Sequence, residues 1–222
     1  MQHFYSDFFF CKNNFFNNAD RIIDFASSLD YNFTDKSFPG TRTENLSTLN
    51  DNSCIEFSNM FAQKLVNEVY TNITSMSIDI RFHKYPLYSQ DKLNPINSGW
   101  VHTDHEMLAG VLYLNEVNDF DSGTSLYTPN NSILPPNVIR EAFNVNPLET
   151  DNALYVEHLQ KHNGQFSETL KAGNLFNRLI TYDSKIYHKP NNYFIGNNDN
   201  RLTLLFVISN YECKPRQFNI SE

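Results

Sequence analysis

The sequence reads as an α+β protein, an antiparallel sandwich or barrel of short strands with helices packed outside it. Three observations support this. Apolar residues recur at helical spacing only in the first third of the chain, and from Ser75 onward the period shifts towards two. The later apolar runs are also short, each bounded by Asn, Gly, Pro or Asp.

The elements follow in order. The opening stretch MQHFYSDFFFCKNNFF is apolar in patches, lacks a basic segment and is broken by Asp7, so it reads as a strand or an apolar lid over the core rather than a secretory signal. Asn18 is placed to cap a helix through ADRIIDFASSL, with Ile22, Ile23 and Phe25 on one side. A second helix covers CIEFSNMFAQKLVNEVY, where Phe57, Phe61, Leu65 and Val69 recur every four residues. FPGTRTENL between them is a turn-bearing loop. In SIDIRFHKY, Ile78, Ile80 and Phe82 alternate with polar neighbours, as in a half-buried strand. MLAGVLYLN reads as a more buried strand, followed by GTSLY, NRLITYDS, IYHKP and RLTLLFVIS. The stretch 130–164 reads as irregular, with Pro135-Pro136 and a small helix around VIREAF, and it could act as a lid. The expected organisation is a single domain over 1–222: mainly helical support over 1–74, a strand core over 75–209 with an insert at about 128–165, and a C-terminal tail over 210–222.

Composition narrows the function classes. The chain has 222 residues, 40% apolar and 14% aromatic, enough for a real core and incompatible with a disordered chain. A net charge of −8, with no Lys/Arg cluster, argues against nucleic acid as a partner. Cys11, Cys54 and Cys213 lie far apart, which makes neither a disulfide framework nor a thiolate zinc site. No apolar run approaches the roughly 20 residues of a membrane span. A cytoplasmic protein with no membrane partner is therefore expected, and the Phe-rich N-terminus offers a surface for a homodimer contact.

The segment Gly99-Trp100-Val101-His102-Thr103-Asp104 carries the chemistry. On an extended backbone His102 and Asp104 point the same way, so both can reach one ion. A late histidine on a neighbouring strand is the expected third ligand, and His188 in YDSKIYHKP is placed for it. Two imidazoles and a carboxylate leave open positions on an iron(II) ion, whereas structural zinc is normally closed by thiolates or further histidines. Arg201 opens the apolar run RLTLLFVIS. A guanidinium there needs a buried anionic partner, and a dicarboxylate matches its planar fork. Thr203, two residues on, faces the same side.

With these parts in order (H-x-D, then H, then R-x-T), the chain resembles the 2-oxoglutarate/iron(II) oxygenase superfamily, and within it the prolyl-hydroxylase-like branch. The likeness is carried by HTD at 102–104, VLYLN at 111–115, DSGTSLY at 121–127, YHKP at 187–190 and RLTLLFV at 201–207, and it spans roughly Arg81 to Ser209. The resemblance implies a double-stranded β-helix (jelly-roll) core of antiparallel strands braced by the N-terminal helices. It implies Fe(II) on His102, Asp104 and His188, with 2-oxoglutarate and dioxygen as cosubstrates. Arg201, Thr203 and Tyr113 would anchor the far carboxylate of 2-oxoglutarate, and Gly123 would fall in a short turn before a strand. The implied activity is hydroxylation of a protein residue such as proline or of a small amino-acid-like metabolite, yielding succinate and carbon dioxide. A halogenating relative would lack the carboxylate that Asp104 provides.

Two other readings are open at this point. A non-catalytic jelly-roll binding module explains the strands but leaves the triplet and R-x-T as coincidences. A zinc hydrolase would use His102 with His105, but an upstream histidine that such a motif needs is replaced by Gly99-Trp100. His83 reads as solvent-facing or satisfied within the core, and His158 and His162 reach the site only if the insert folds over it.

Overall fold

The computed structural model describes residues 8–34, 38–116, 118–130, 152–193 and 201–214. The two early helices form where the four-residue apolar spacing places them. Helix α1 is Ala19–Ser27 and α2 is Asn52–Glu68. Asp51 caps α2, its carboxylate accepting from the backbone N–H groups of Ser53 and Cys54 at 2.8 and 3.3 Å. Asn18 precedes α1 but makes no side-chain cap hydrogen bond, so that expectation is corrected.

The strands are β1 (Phe9–Lys12), β2 (Thr41–Arg42), β3 (Ile73–Tyr85), β4 (Leu108–Tyr113), β5 (Asp119–Pro129), β6 (Phe166–Asn174), β7 (Leu179–Asp183), β8 (Tyr187–Pro190) and β9 (Arg201–Cys213). They make a six-stranded sheet ordered β1-β7-β4-β9-β3-β2 and a three-stranded sheet ordered β6-β5-β8. Every pairing is antiparallel. A single bridge between His102 and His188 sets the His102 segment beside β8.

The larger sheet is buried on both faces. On one side Ile80 and Phe82 of β3, Leu112 of β4 and Leu204, Phe206 and Ile208 of β9 pack with Phe57, Phe61 and Leu65 of α2. Phe61 sits at the centre, its ring 6.0 Å from Phe15, 6.1 Å from Phe16 and 5.4 Å from Phe206. On the other side Val111, Tyr113, Ile180 and Tyr182 meet Leu126 of β5 and Ala172 of β6. This is the antiparallel jelly-roll sandwich expected, with helices bracing the outer face of one sheet.

Several boundaries differ from the sequence expectation. β3 and β9 pair as far as Ile73 and Cys213, so the strand core is longer at both ends than 75–209, and 210–213 are strand rather than tail. The stretch before Gly164 contains a helix, α3 (Asn152–Asn163), and Thr128 and Pro129 belong to β5. The small helix expected at VIREAF lies outside the described residues. β6 was not read from the sequence, because its outer face is polar and only Phe166 and Ala172 are buried apolar positions on it.

Truncating Phe61 to Ala should cost about 3–5 kcal/mol of stability, as for other fully buried aromatics. Urea unfolding of the variant measures it, and a loss under about 1 kcal/mol would mean that the helix–sheet layer is not the main core.

Candidate metal centre

His102, Asp104 and His188 converge. One ligating atom from each lies within 4.8 Å of the other two. Nε2 of His188 is 3.2 Å from one Asp104 oxygen, and Nε2 of His102 is 3.6 Å from the other. The two imidazoles are brought side by side by the bridge, in which the backbone N–H of each histidine donates to the carbonyl of the other at 2.9 and 2.8 Å. Their ring centroids are 4.5 Å apart.

Both rings are aimed by the same local device. Nδ1 of His102 lies 2.7 Å from the Trp100 carbonyl, and Nδ1 of His188 lies 2.9 Å from the Ile186 carbonyl. With the proton on Nδ1, each Nε2 presents its lone pair to the centre. The Asp104 backbone N–H donates to Ser184 at 2.9 Å, which ties the third residue to the turn before β8. His188 is only 3% exposed. The donors are nitrogen and oxygen alone: Cys54 lies in the helix-facing core, and Cys11 and Cys213 are exposed. His105 is exposed and is not in the group, so the structure does not bring together the His102–His105 pair of the zinc hydrolase reading.

Helix α3 holds this segment in place. Asn163 accepts from the Val101 N–H at 2.8 Å and donates to the Gly99 carbonyl at 3.0 Å, and His162 Nε2 lies 2.7 Å from the Val101 carbonyl. Trp100 donates to the Tyr155 hydroxyl at 2.9 Å. His162 thus approaches the ligand segment from behind and is not in the ligand group.

Arg201 is 1% exposed and lies on the face of β9 that looks between the sheets. Its nearest acceptors are distant: Nη1 to the Asn192 carbonyl at 3.4 Å and Nη2 to the Gly123 carbonyl at 3.5 Å. Among the described residues its Nε has no partner, and the buried hydroxyl of Thr203 also has none. The guanidinium carbon lies 5.1 Å from the Tyr85 ring and 5.5 Å from the Tyr113 ring. Tyr113 donates to Thr124 at 2.9 Å, and burial pushes its pKa up to about 12 although Arg201 pulls the other way. A buried cation with idle donors and a buried idle hydroxyl would be costly unless an anion completes them. Gly123 lies inside β5, not in a turn before it. A Cβ there would stand 1.7 Å from the Ala172 carbonyl oxygen, so no other residue fits.

A family model described as a family of unknown function, DUF6445, matches residues 9–193. The chain belongs to the DUF6445 family. The matched region contains His102, Tyr113, Asp104 and His188 and ends before Arg201 and Thr203. No curated protein matches in sequence. Among solved structures, HygX from Streptomyces hygroscopicus with nickel, 2-oxoglutarate and hygromycin B bound is similar to this DUF6445 chain. It is 12% identical, with 93% of this chain and 84% of HygX covered and a TM-score of 0.57. SnoN, the non-haem α-ketoglutarate-dependent epimerase from nogalamycin biosynthesis, is 8% identical over 94% of this chain and 82% of SnoN, with a TM-score of 0.52. The DUF6445 chain therefore has the jelly-roll fold of the iron- and 2-oxoglutarate-dependent oxygenases.

Of the two places the sequence leaves open for His83, solvent or core, it takes the core. The polar members of SIDIRFHKY look like a solvent side, yet His83 and Tyr85 point between the sheets and are buried. The signal was Tyr85, a large aromatic on the supposedly wet side. His83 Nε2 lies 2.6 Å from the Pro39 carbonyl and Nδ1 accepts from Arg42. Burial, with Arg42 and Arg201 adding to it, drives its pKa well below 6.5, so it is neutral.

Two outcomes follow for this DUF6445 protein. The unfolded chain takes up a proton at His83 near pH 6.5 while the folded chain does not, so stability falls as pH drops below about 6.5, by up to about 1.4 kcal/mol per pH unit. His83→Gln should lose that part of the slope in pH-dependent urea melts, and an unchanged slope would refute it. Thr203→Val should leave the ligand-free protein as stable or about 1 kcal/mol more stable, because it removes an unsatisfied buried hydroxyl. A thermal melt measures this, and a clear loss of stability would mean the hydroxyl is satisfied.

Proposed function

We propose that this protein is an iron(II)- and 2-oxoglutarate-dependent dioxygenase that hydroxylates a small-molecule or protein-residue substrate. The observation that carries the reading is the pairing of two features in one interior: a His-Asp-His group, and the buried Arg201 and Thr203 with unused donors. Either alone has ordinary explanations, but together they match the two ends of a keto-dicarboxylate.

In this reading His102, Asp104 and His188 would hold iron(II), and both donor types, imidazole nitrogen and carboxylate oxygen, suit it. Arg201 would receive the far carboxylate of 2-oxoglutarate through its planar fork, Thr203 would donate a further hydrogen bond, and the neutral Tyr113 would flank it. The bound metal with 2-oxoglutarate and dioxygen would supply the oxidising chemistry, with succinate and carbon dioxide as coproducts. The protein's own part is positional. The two Nδ1 tethers keep the imidazoles aimed, α3 clamps the ligand segment, and Tyr182, with its ring 4.7 Å from that of His188, excludes water from one side.

The test is anaerobic titration of the iron(II)-loaded protein with 2-oxoglutarate, followed by the visible metal-to-ligand charge-transfer band. The band should form, vanish in His188→Ala and require at least about tenfold more 2-oxoglutarate in Arg201→Gln, the scale of removing one partner of a buried charge pair. A folded protein that never shows the band would overturn the reading and leave a non-catalytic jelly-roll module.

A further inference from the structure

The interior row of the larger sheet does not stop at Thr203. Tyr113 of β4 lies opposite Thr203 of β9, Thr203 opposite His83 of β3, and His83 opposite Arg42 of β2. Directly opposed residues in antiparallel strands share a face, so Tyr113, Thr203, His83 and Arg42 form one row across four strands. Arg42 stands at the sheet's edge.

Its guanidinium is held from two sides. Nε donates to His83 Nδ1 at 3.3 Å, and the guanidinium carbon lies 3.6 Å from the centroid of the Phe38 ring. Phe38 in turn stacks on Phe33 at 5.9 Å and stands edge-on to His83 at 5.4 Å. Among the described residues, no carboxylate is within ion-pair distance of Arg42, and its terminal amino groups find no acceptor. Its neighbours differ. Arg81 is closed on Asp79 by two hydrogen bonds of 2.8 Å, and Lys84 lies over the Tyr31 ring at 3.7 Å. Burial lowers the pKa of Arg42, and among the groups that restore it is the Asp104 carboxylate.

A guanidinium held at the end of this interior row, its two terminal amino groups without an acceptor among the described residues, is a prepared anion receptor. We propose that Arg42 is the specificity-determining residue of the site, taking the carboxylate of a small amino-acid-like substrate while Arg201 takes that of the cosubstrate. The inference rests on the oxygenase reading above. A carboxylate suits the site better than a phosphate. The two terminal amino groups of the planar fork match the two oxygens of a carboxylate in a plane.

The test uses ligand-observed saturation-transfer NMR on the full chain, with and without iron(II) and 2-oxoglutarate under anaerobic conditions. The probes are the free L-amino acids, their N-acetyl derivatives and the corresponding carboxamides. At least one acid should bind while its carboxamide does not. Arg42→Gln should weaken that acid at least tenfold more than it weakens 2-oxoglutarate, and Arg42→Lys, which keeps the charge but loses the fork, should fall between. Thermal melts of both variants separate lost recognition from lost folding. Carboxamides that bind as well as acids, or no acid bound at all, would overturn the inference, as would a folded Arg42→Lys or Arg42→Gln protein that keeps full affinity. A charge-transfer band without acid binding sinks this inference alone. Acid binding that depends on Arg42, in a protein that shows no band, sinks the oxygenase reading and leaves Arg42 as the receptor of a binding module.

Discussion

The interior of this protein depends on the alternation of side chains along β9. Over 201–208 the strand is covered on both faces, so each residue there has to suit one of two different environments. Leu202, Leu204, Phe206 and Ile208 turn towards the helices, while Arg201, Thr203, Leu205 and Val207 turn towards the smaller sheet. β9 is flanked by β3 and β4, and its register with them sets Tyr85 opposite Arg201 and Tyr113 opposite Thr203. A slip of one residue would drive a guanidinium into the Phe61 cluster and an apolar side chain into the polar interior. The cost of that exchange is what holds the register, and the register is what places the donors.

The metal-facing side is built by a different principle, local tethering. The His102 segment has no long ladder to hold it; the bridge to His188, the Asp104 bond to Ser184 and the grip of α3 do so instead. Each imidazole is therefore oriented by a carbonyl two residues earlier in its own stretch of chain. Such short-range tethers survive small shifts of the surrounding loops, because the carbonyl and the ring move together. The two halves of the interior thus have unlike supports, a rigid sheet under Arg201 and Thr203 and a clamped extended segment under His102 and Asp104.

The legible parts of the sequence were those whose chemistry conflicts with their surroundings. His102-x-Asp104 on an extended segment and Arg201-x-Thr203 at the head of an apolar strand are residues that a purely structural element would not choose. Their meeting with His188 required only that the strands be antiparallel. β6 and α3 were illegible for the opposite reason. Each buries one narrow face, Phe166 and Ala172 in β6 and Tyr155 and Leu159 in α3, against an otherwise polar exterior. Arg42 was hidden in a two-residue strand inside a segment that reads as a turn, where arginine is unremarked. The face of β3 that carries His83 and Tyr85 stayed undecided between solvent and core because polar alternation normally marks solvent, whereas here it marks a second, polar interior.

The pairing of β3 with β9 also shapes how the chain reaches this state. Their ladder runs out to Ile73 and Cys213, and beside it the Thr74 hydroxyl donates to the Glu212 carbonyl across 138 residues of chain. Closing so long a loop is entropically slow, and few native contacts reward the chain before it closes. Helices α1 and α2 can form early from local contacts, but the central strand of the larger sheet is added from the far end of the chain. The interior that holds Arg201 therefore comes into being late in folding, and during synthesis a nascent chain would present the open edges of β3 and β4 until β9 emerges to fill the gap between them.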